Sequence, residues 1–131
     1  VDLTQDVASL RRAGYEASGF VVRRLIELSG APVSRIVATG GGTRVRAWMQ
    51  AIADATGRPV QLPRVAEGAA LGAAFLARLA AGLESSMTDA ARWAATEAVI
   101  DPDPVWAEAM EDRYGRFRQL SEPDSAPARV R

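Results

Sequence analysis

The 131-residue sequence has no histidine, cysteine, asparagine or lysine, and all sixteen of its basic residues are arginine. Without histidine there is no imidazole base and no Ser-His-Asp triad. Without lysine there is no Schiff-base amine and no P-loop ammonium. Zinc sites built from Cys and His are excluded, as are disulfides and thiol chemistry. Carboxylates, hydroxyls, arginines and backbone amides are left to do any chemistry, which is a thin toolkit for a whole enzyme. The start at Val1 rather than Met points to a processed or excised piece. A formal net charge of zero gives no electrostatic footprint for nucleic acid or an anionic membrane. No apolar run nears the roughly 20 residues that span a bilayer, and no secretory leader pattern is present. These features fit a cytoplasmic location. At 48% hydrophobic and 24% charged residues, the composition is that of one globular domain with a real core.

The apolar residues Val7, Leu10, Gly14, Ala17, Val21, Leu25 and Leu28 recur at helical spacing, which predicts one long helix over residues 3–28. Thr4 or Asp2 is placed to cap its start, and Gly30 and Pro32 end it. Phe20, Val22 and Ile26 add apolar surface off that stripe, and Arg12 and Glu16 stand one turn apart as a surface ion pair. Residues 35–39 read as a strand, and three glycines follow it. A helix over residues 43–56 comes next, with Val45, Trp48, Met49, Ile52, Ala53 and Thr56 on one face, Arg44, Arg46 and Asp54 on others, and Gly57 after its end. Residues 58–63 read as a short strand flanked by prolines, hence near a sheet edge or ending abruptly.

Glu67, acidic at a helix start, caps a second helix of small residues over 68–81 that Gly82 terminates. Thr88 caps a short helix over residues 89–95 anchored by Trp93, and residues 97–100 are extended or irregular. Asp103 and Pro104 open a last helix running to about Leu120, with Trp106, Met110, Tyr114 and Phe117 on its apolar stripe. Residues 121–131 hold two prolines and little apolar bulk and are expected to be disordered, leaving one domain over residues 1–120. The order α-β-α-β-α plus two helices implies a parallel α/β layer. Two strands make a poor sheet with open edges, so the pattern reads as the second half of an α/β domain. It also predicts oligomerisation, strand swapping or marginal stability.

Gly40, Gly41 and Gly42 lie between a strand and a helix, where glycine costs chain entropy unless the backbone must turn sharply or admit a close neighbour. A helix start there offers unpaired N–H groups to an anion such as phosphate. No Gly-Lys-Ser/Thr follows, so this is not a Walker A loop. Val45 stands where the third glycine of a dinucleotide fingerprint belongs. Two readings stay open at this level: a tight turn without a ligand, and a phosphate cradle made by the amides of Gly41, Gly42 and Thr43.

The runs RIVATGGGTRVRAWMQAIADATGRPV and EGAALGAAFLA resemble the C-terminal domain of the FGGY carbohydrate kinases, most of all the xylulokinases. The likeness extends from the Arg12-Ala13-x-x-Glu16 pattern to the terminal helix. It implies an α/β fold: a partial ribonuclease-H-like domain of the actin-like ATPase group, with extra C-terminal helices. It implies that Gly40, Gly41 and Gly42 lie against nucleotide phosphates, with Thr43 to Val45 bordering the nucleoside. The family often carries a small or amide residue where Val45 stands, which leaves shape and backbone contacts for adenine. Trp48 and Gln50 match the family pattern, and helical spacing makes Trp48 a core residue first. The implied cofactor is ATP or ADP with Mg²⁺, and the implied reaction is phosphoryl transfer to a sugar hydroxyl. No Asp or Glu matches a catalytic motif of the family, and no metal ligand is identified. The sugar and the aspartate base belong to an N-terminal domain without a counterpart here, so this chain alone is expected to be inactive. Two other readings are a scaffold module that keeps the fold without the nucleotide, and a sister kinase acting on glycerol, ribulose or gluconate.

Overall fold

The computed structural model describes residues 6–121. Helix α1 spans Val7–Ser29. Its cap is Asp6, whose carboxylate accepts from the Ser9 amide at 2.7 Å; the caps expected at Asp2 and Thr4 lie outside the described residues. Gly30, at φ +63°, closes the helix in the left-handed conformation that favours glycine.

The buried face of α1 differs from the expected one. Val7, Leu10, Gly14, Ala17, Val21, Leu25 and Leu28 are all exposed, and the buried residues are Glu16, Gly19 and Phe20. Gly19 is the physical reason. It lets α1 cross α2 (Arg46–Thr56) so closely that an added Cβ would lie 2.7 Å from the Ala55 Cβ and 3.1 Å from the Ala51 carbonyl oxygen. Phe20 then enters a cluster with Ala55, Met110 and Tyr114, flanked by Trp106 and Phe117. The side of α1 that is buried is therefore the one carrying Phe20, off its most regular apolar stripe.

Three strands form the sheet, in the order β1 (Ile36–Val37), β2 (Val60–Pro63), β3 (Thr96–Ile100). β1 and β2 are parallel, with Ile36 opposite Val60. Residues 97–100, expected to be extended or irregular, are extended: they lie in the strand β3, antiparallel to β2 with Val60 opposite Ile100. β2 is thus central rather than at an edge. Its prolines do not prevent this, because Pro59 precedes the strand and offers its carbonyl to the Ile36 amide at 3.0 Å, while a register shift absorbs Pro63. One sheet face carries Ile36, Val60, Leu62 and Ile100 against Met49, Ile52 and Ala53 of α2.

Helix α3 (Gly68–Ala80) is apolar yet largely exposed; Phe75 alone is buried, meeting the edge of Trp93 at 5.8 Å between ring centroids. The short helix that follows is a 3₁₀ segment, Met87–Arg92, capped by Ser86 and not by Thr88. Ser86 and Asp89 satisfy each other's backbone reciprocally, whereas Thr88 lies one residue inside. Buried Glu84 binds Arg78 and Arg92, tying this segment to α3. Asp103 accepts from the Val105 amide at 3.0 Å, as expected, but the turn it caps is 3₁₀, Pro104–Trp106, and α4 begins at Ala107 and ends at Ser121. The tail predicted from residue 121 otherwise lies outside the described residues.

Arg12 and Glu16 are also more than a surface pair. Glu16 is 5% exposed and accepts from Arg12 at 2.6 Å and from Arg113 of α4 at 2.7 and 2.8 Å. Both guanidiniums lie over Trp106, and Arg12 reaches buried Asp54 of α2 at 3.5 Å. Asp54 also accepts from Gln50 and from the Asp103 amide. One carboxylate pair thereby joins α1, α2 and the entry to α4.

Candidate functional site

The glycine turn follows the C-terminal end of β1. Ala38 donates to Gln61 at 3.0 Å, which carries the ladder one residue beyond the strand. The chain then bends at Gly40, whose φ of +89° with ψ −179° suits glycine and almost no other residue. The Gly40 amide is anchored on the Ala66 carbonyl at 2.7 Å, just ahead of α3. The starts of the 3₁₀ turn Gly41–Arg44 and of α3 therefore lie side by side.

Two of the three glycines have a reason in the fold, and the two reasons differ. Gly40 needs its positive φ. Gly42 needs to lack a side chain, because a Cβ there would lie 2.9 Å from Cζ3 of Trp48. Gly41 has an ordinary φ and, among the described residues, no neighbour within 4 Å of where a Cβ would be, so the described fold makes no demand for glycine there. The amides of Gly41 and Gly42 have no hydrogen-bond partner among the described residues. The Thr43 amide is engaged by the Gly40 carbonyl at 3.2 Å, and the Thr43 hydroxyl donates to the same oxygen at 2.8 Å. The expected trio of amides is thus a free pair, Gly41 and Gly42, with Thr43 bracing the turn.

Val45 sits at the junction between this turn and α2, so the helix expected from residue 43 begins three residues later, at Arg46. The Val45 amide donates to Gly42 at 3.0 Å, its carbonyl starts α2, and its side chain is 38% exposed at a cap position where it can make no hydrogen bond. Glu67 occupies the N-cap of α3 without a side-chain capping bond, and its carboxylate lies instead 3.6 Å from Arg44. Both partners are well exposed, so this pair contributes little to stability.

Trp48 is half-buried and forms the wall behind Gly42. Its indole N–H donates to the Ser18 hydroxyl at 2.6 Å, and Tyr15 stacks on its ring. Sequence reading found Trp48 but missed Ser18 and Tyr15; the available signal was that a buried indole N–H requires an acceptor. A separate apolar groove of about 440 Å³ lies on the other face of the sheet, between Val37 and Gln61 and the side chains of Leu71, Phe75 and Trp93. It reaches Thr39 and Gly68 but none of residues 40–45.

Among the described residues, no group of three or more acidic, His or Cys side chains is arranged to hold a metal ion, and no helix is long and apolar enough to cross a membrane.

Comparison with known proteins places this geometry in context. The C-terminal domain of the FGGY family of carbohydrate kinases matches residues 1–81. The autoinducer-2 kinase of Escherichia coli is 35% identical over 121 residues, covering 86% of this chain and 22% of that protein. The glycerol kinase of Bordetella parapertussis is 44% identical over 96 residues, covering 72% of this chain and 18% of that protein. The crystal structure of xylulose kinase from Rhodospirillum rubrum superposes with a TM-score of 0.75 at 34% identity, over 92% of this chain and 25% of that one. The chain thus spans no more than about a quarter of the length of these relatives. Its mixed α/β structure, rich in helix around a small sheet, is shared with sugar kinases of the actin-like ATPase fold. This chain belongs to the FGGY family of carbohydrate kinases, matching its C-terminal domain.

Proposed function

We propose that this chain is the nucleotide-binding portion of an ATP-dependent sugar kinase, xylulokinase-like in its preference, acting in the cytoplasm. In this reading the domain is a partial ribonuclease-H-like unit. Gly40, Gly41 and Gly42 face the phosphates of ATP or ADP, and Thr43 and Val45 border the nucleoside. The observation that carries it is the pair of free amides at Gly41 and Gly42, at a position where Gly41 has no packing reason to be glycine. Two N–H groups at the start of a helical turn, without a partner among the described residues, suit a phosphate oxygen. Family membership supplies the ligand class.

The chemistry divides accordingly. The amides of Gly41 and Gly42 hold and orient phosphate, and Trp48 and Thr43 keep the turn in shape. Mg²⁺ accompanies the nucleotide and neutralises its phosphates when bound. The base that activates the sugar hydroxyl and the groups that choose the sugar belong to the rest of a kinase of this family, so this chain alone does not turn over. The same division makes glycerol, ribulose or gluconate alternative substrates of the parent enzyme.

Calorimetric titration with ADP tests the reading. Binding by the wild-type chain that is abolished in Gly41→Asp, with the far-ultraviolet dichroism unchanged, supports it; the added carboxylate has room but repels phosphate. A folded chain that binds no ADP supports the scaffold reading, which the apolar, uncapped Val45 favours.

A further inference from the structure

Gly42 rests on the indole of Trp48, its missing Cβ 2.9 Å from Cζ3 and 3.3 Å from Cε3, so the orientation of that ring sets where the turn can lie. The ring is in turn fixed from α1 by two contacts. Tyr15 stacks on it with centroids 5.8 Å apart and planes 13° from parallel. The indole N–H donates to Ser18 Oγ at 2.6 Å. The Ser18 hydroxyl donates its own proton to the Tyr15 carbonyl at 2.7 Å. That commitment fixes the hydroxyl rotor and leaves a lone pair for the indole. The stack fixes the ring plane, and the hydrogen bond fixes its rotation within that plane. Tyr15 and Ser18 belong to neither core cluster, whereas Trp48 packs against the one formed by Met49, Ala53, Val60 and Ile100.

We infer that Tyr15 and Ser18 are positioning residues for the glycine turn. Acting through Trp48, they set the surface on which Gly42 rests, and with it the direction of the free Gly41 and Gly42 N–H groups. As far as ligand affinity is concerned, this role rests on the proposed nucleotide site; the geometry of the turn does not. The Thr43 and Val45 amides, which close the turn onto Gly40 and Gly42, report it without any ligand.

The test uses the full chain, ¹⁵N-labelled, as wild type, Ser18→Ala, Ser18→Thr and Tyr15→Leu. In Ser18→Ala and Tyr15→Leu, amide hydrogen exchange at Thr43 and Val45 accelerates about ten-fold, the loss of roughly one hydrogen bond's worth of local protection, while Ala53 and Ala55 in the interior of α2 change less than about two-fold. In Ser18→Ala the Trp48 indole N–H resonance, assigned by its absence in Trp48→Phe, moves toward the position of a water-bonded indole. Ser18→Thr, which keeps the hydroxyl, restores both signals, and ADP affinity follows the exchange rates across the series. Unchanged exchange at Thr43 and Val45 in Ser18→Ala overturns the inference. An equal rise throughout α2 also overturns it, because Ser18 would then serve only the stability of the helix pair. A selective rise at Thr43 and Val45, in a chain that binds no ADP, upholds the positioning role and refutes the nucleotide site.

Discussion

Gly14 and Gly19 lie on the same helix, and alanine at the two positions has effects of opposite sign. At Gly19 an added Cβ meets the Ala55 Cβ at 2.7 Å and the Ala51 carbonyl oxygen at 3.1 Å. Neither neighbour can rotate away, since one is a Cβ and the other is backbone. Relief requires α1 and α2 to separate by several tenths of an ångström, which disturbs Phe20 and the cluster around it. Overpacking of this kind costs about 2–3 kcal/mol, and the better helix propensity of alanine returns up to about 1 kcal/mol. Gly19→Ala is therefore destabilised by about 1–2 kcal/mol, or about 4–8 °C in Tm for a chain of this size. At Gly14 nothing among the described residues lies within 4 Å of the added atom. The propensity term then stands alone, and Gly14→Ala gains about 0.5–1 kcal/mol. Thermal unfolding of the three proteins at one fixed concentration, followed by circular dichroism, reads both shifts. A Gly19→Ala variant as stable as Gly14→Ala would refute the close crossing of α1 and α2.

Three further outcomes are expected. Val45→Asn supplies a side-chain acceptor at the start of α2 and raises stability by about 1 kcal/mol, measured by urea unfolding; an unchanged midpoint would mean that Val45 is not the N-cap. The Asp6 carboxyl is held below its ordinary value by hydrogen bonds from Ser9, and that of Glu111 chiefly by its hydrogen bond with Arg23. Burial pushes Glu27 upward, but the Tyr114 hydroxyl and Arg23 outweigh it and leave its carboxyl lowered as well. Folded values below the unfolded ones mean that their stabilisation is full above the ordinary carboxylate range and is lost as pH falls through the lowered values. Tm should thus drop on acidification, and the deficit of Glu111→Gln against wild type, under about 1 kcal/mol at pH 7, should shrink as pH falls below the ordinary carboxylate range. Light scattering against concentration should reveal association, since among the described residues no strand pairs with the outer edge of β1 and the α1 stripe from Val7 to Leu28 is exposed; a stable monomer at high concentration would contradict this.

Much of the layout was legible because local signals decided it. The caps at Gly30, Gly57 and Asp103 and the stripe of α4 follow from backbone conformation and helical spacing. The face of α1 was not legible, because its most regular apolar stripe is the exposed one and Gly19, which decides the crossing, carries no hydrophobicity at all. Strand β3 was legible only as an extended or irregular segment, because Thr96-Glu97-Ala98-Val99 has little apolar weight and its place depends on pairing with β2 far back in the chain. At the site, the glycine triplet was visible at once. That the fold makes different demands on its members was not, since the positive φ of Gly40, the ring against Gly42 and the open space beside Gly41 arise from tertiary structure.

The most direct test of the account is an ADP titration followed by ¹H–¹⁵N correlation spectra of the labelled chain. The account predicts that the largest amide shifts fall on Gly41 and Gly42, with smaller ones at Thr43, Val45 and the Trp48 indole. Shifts confined to the apolar groove around Val37, Leu71 and Trp93, or no shifts at all in a folded chain, would contradict it.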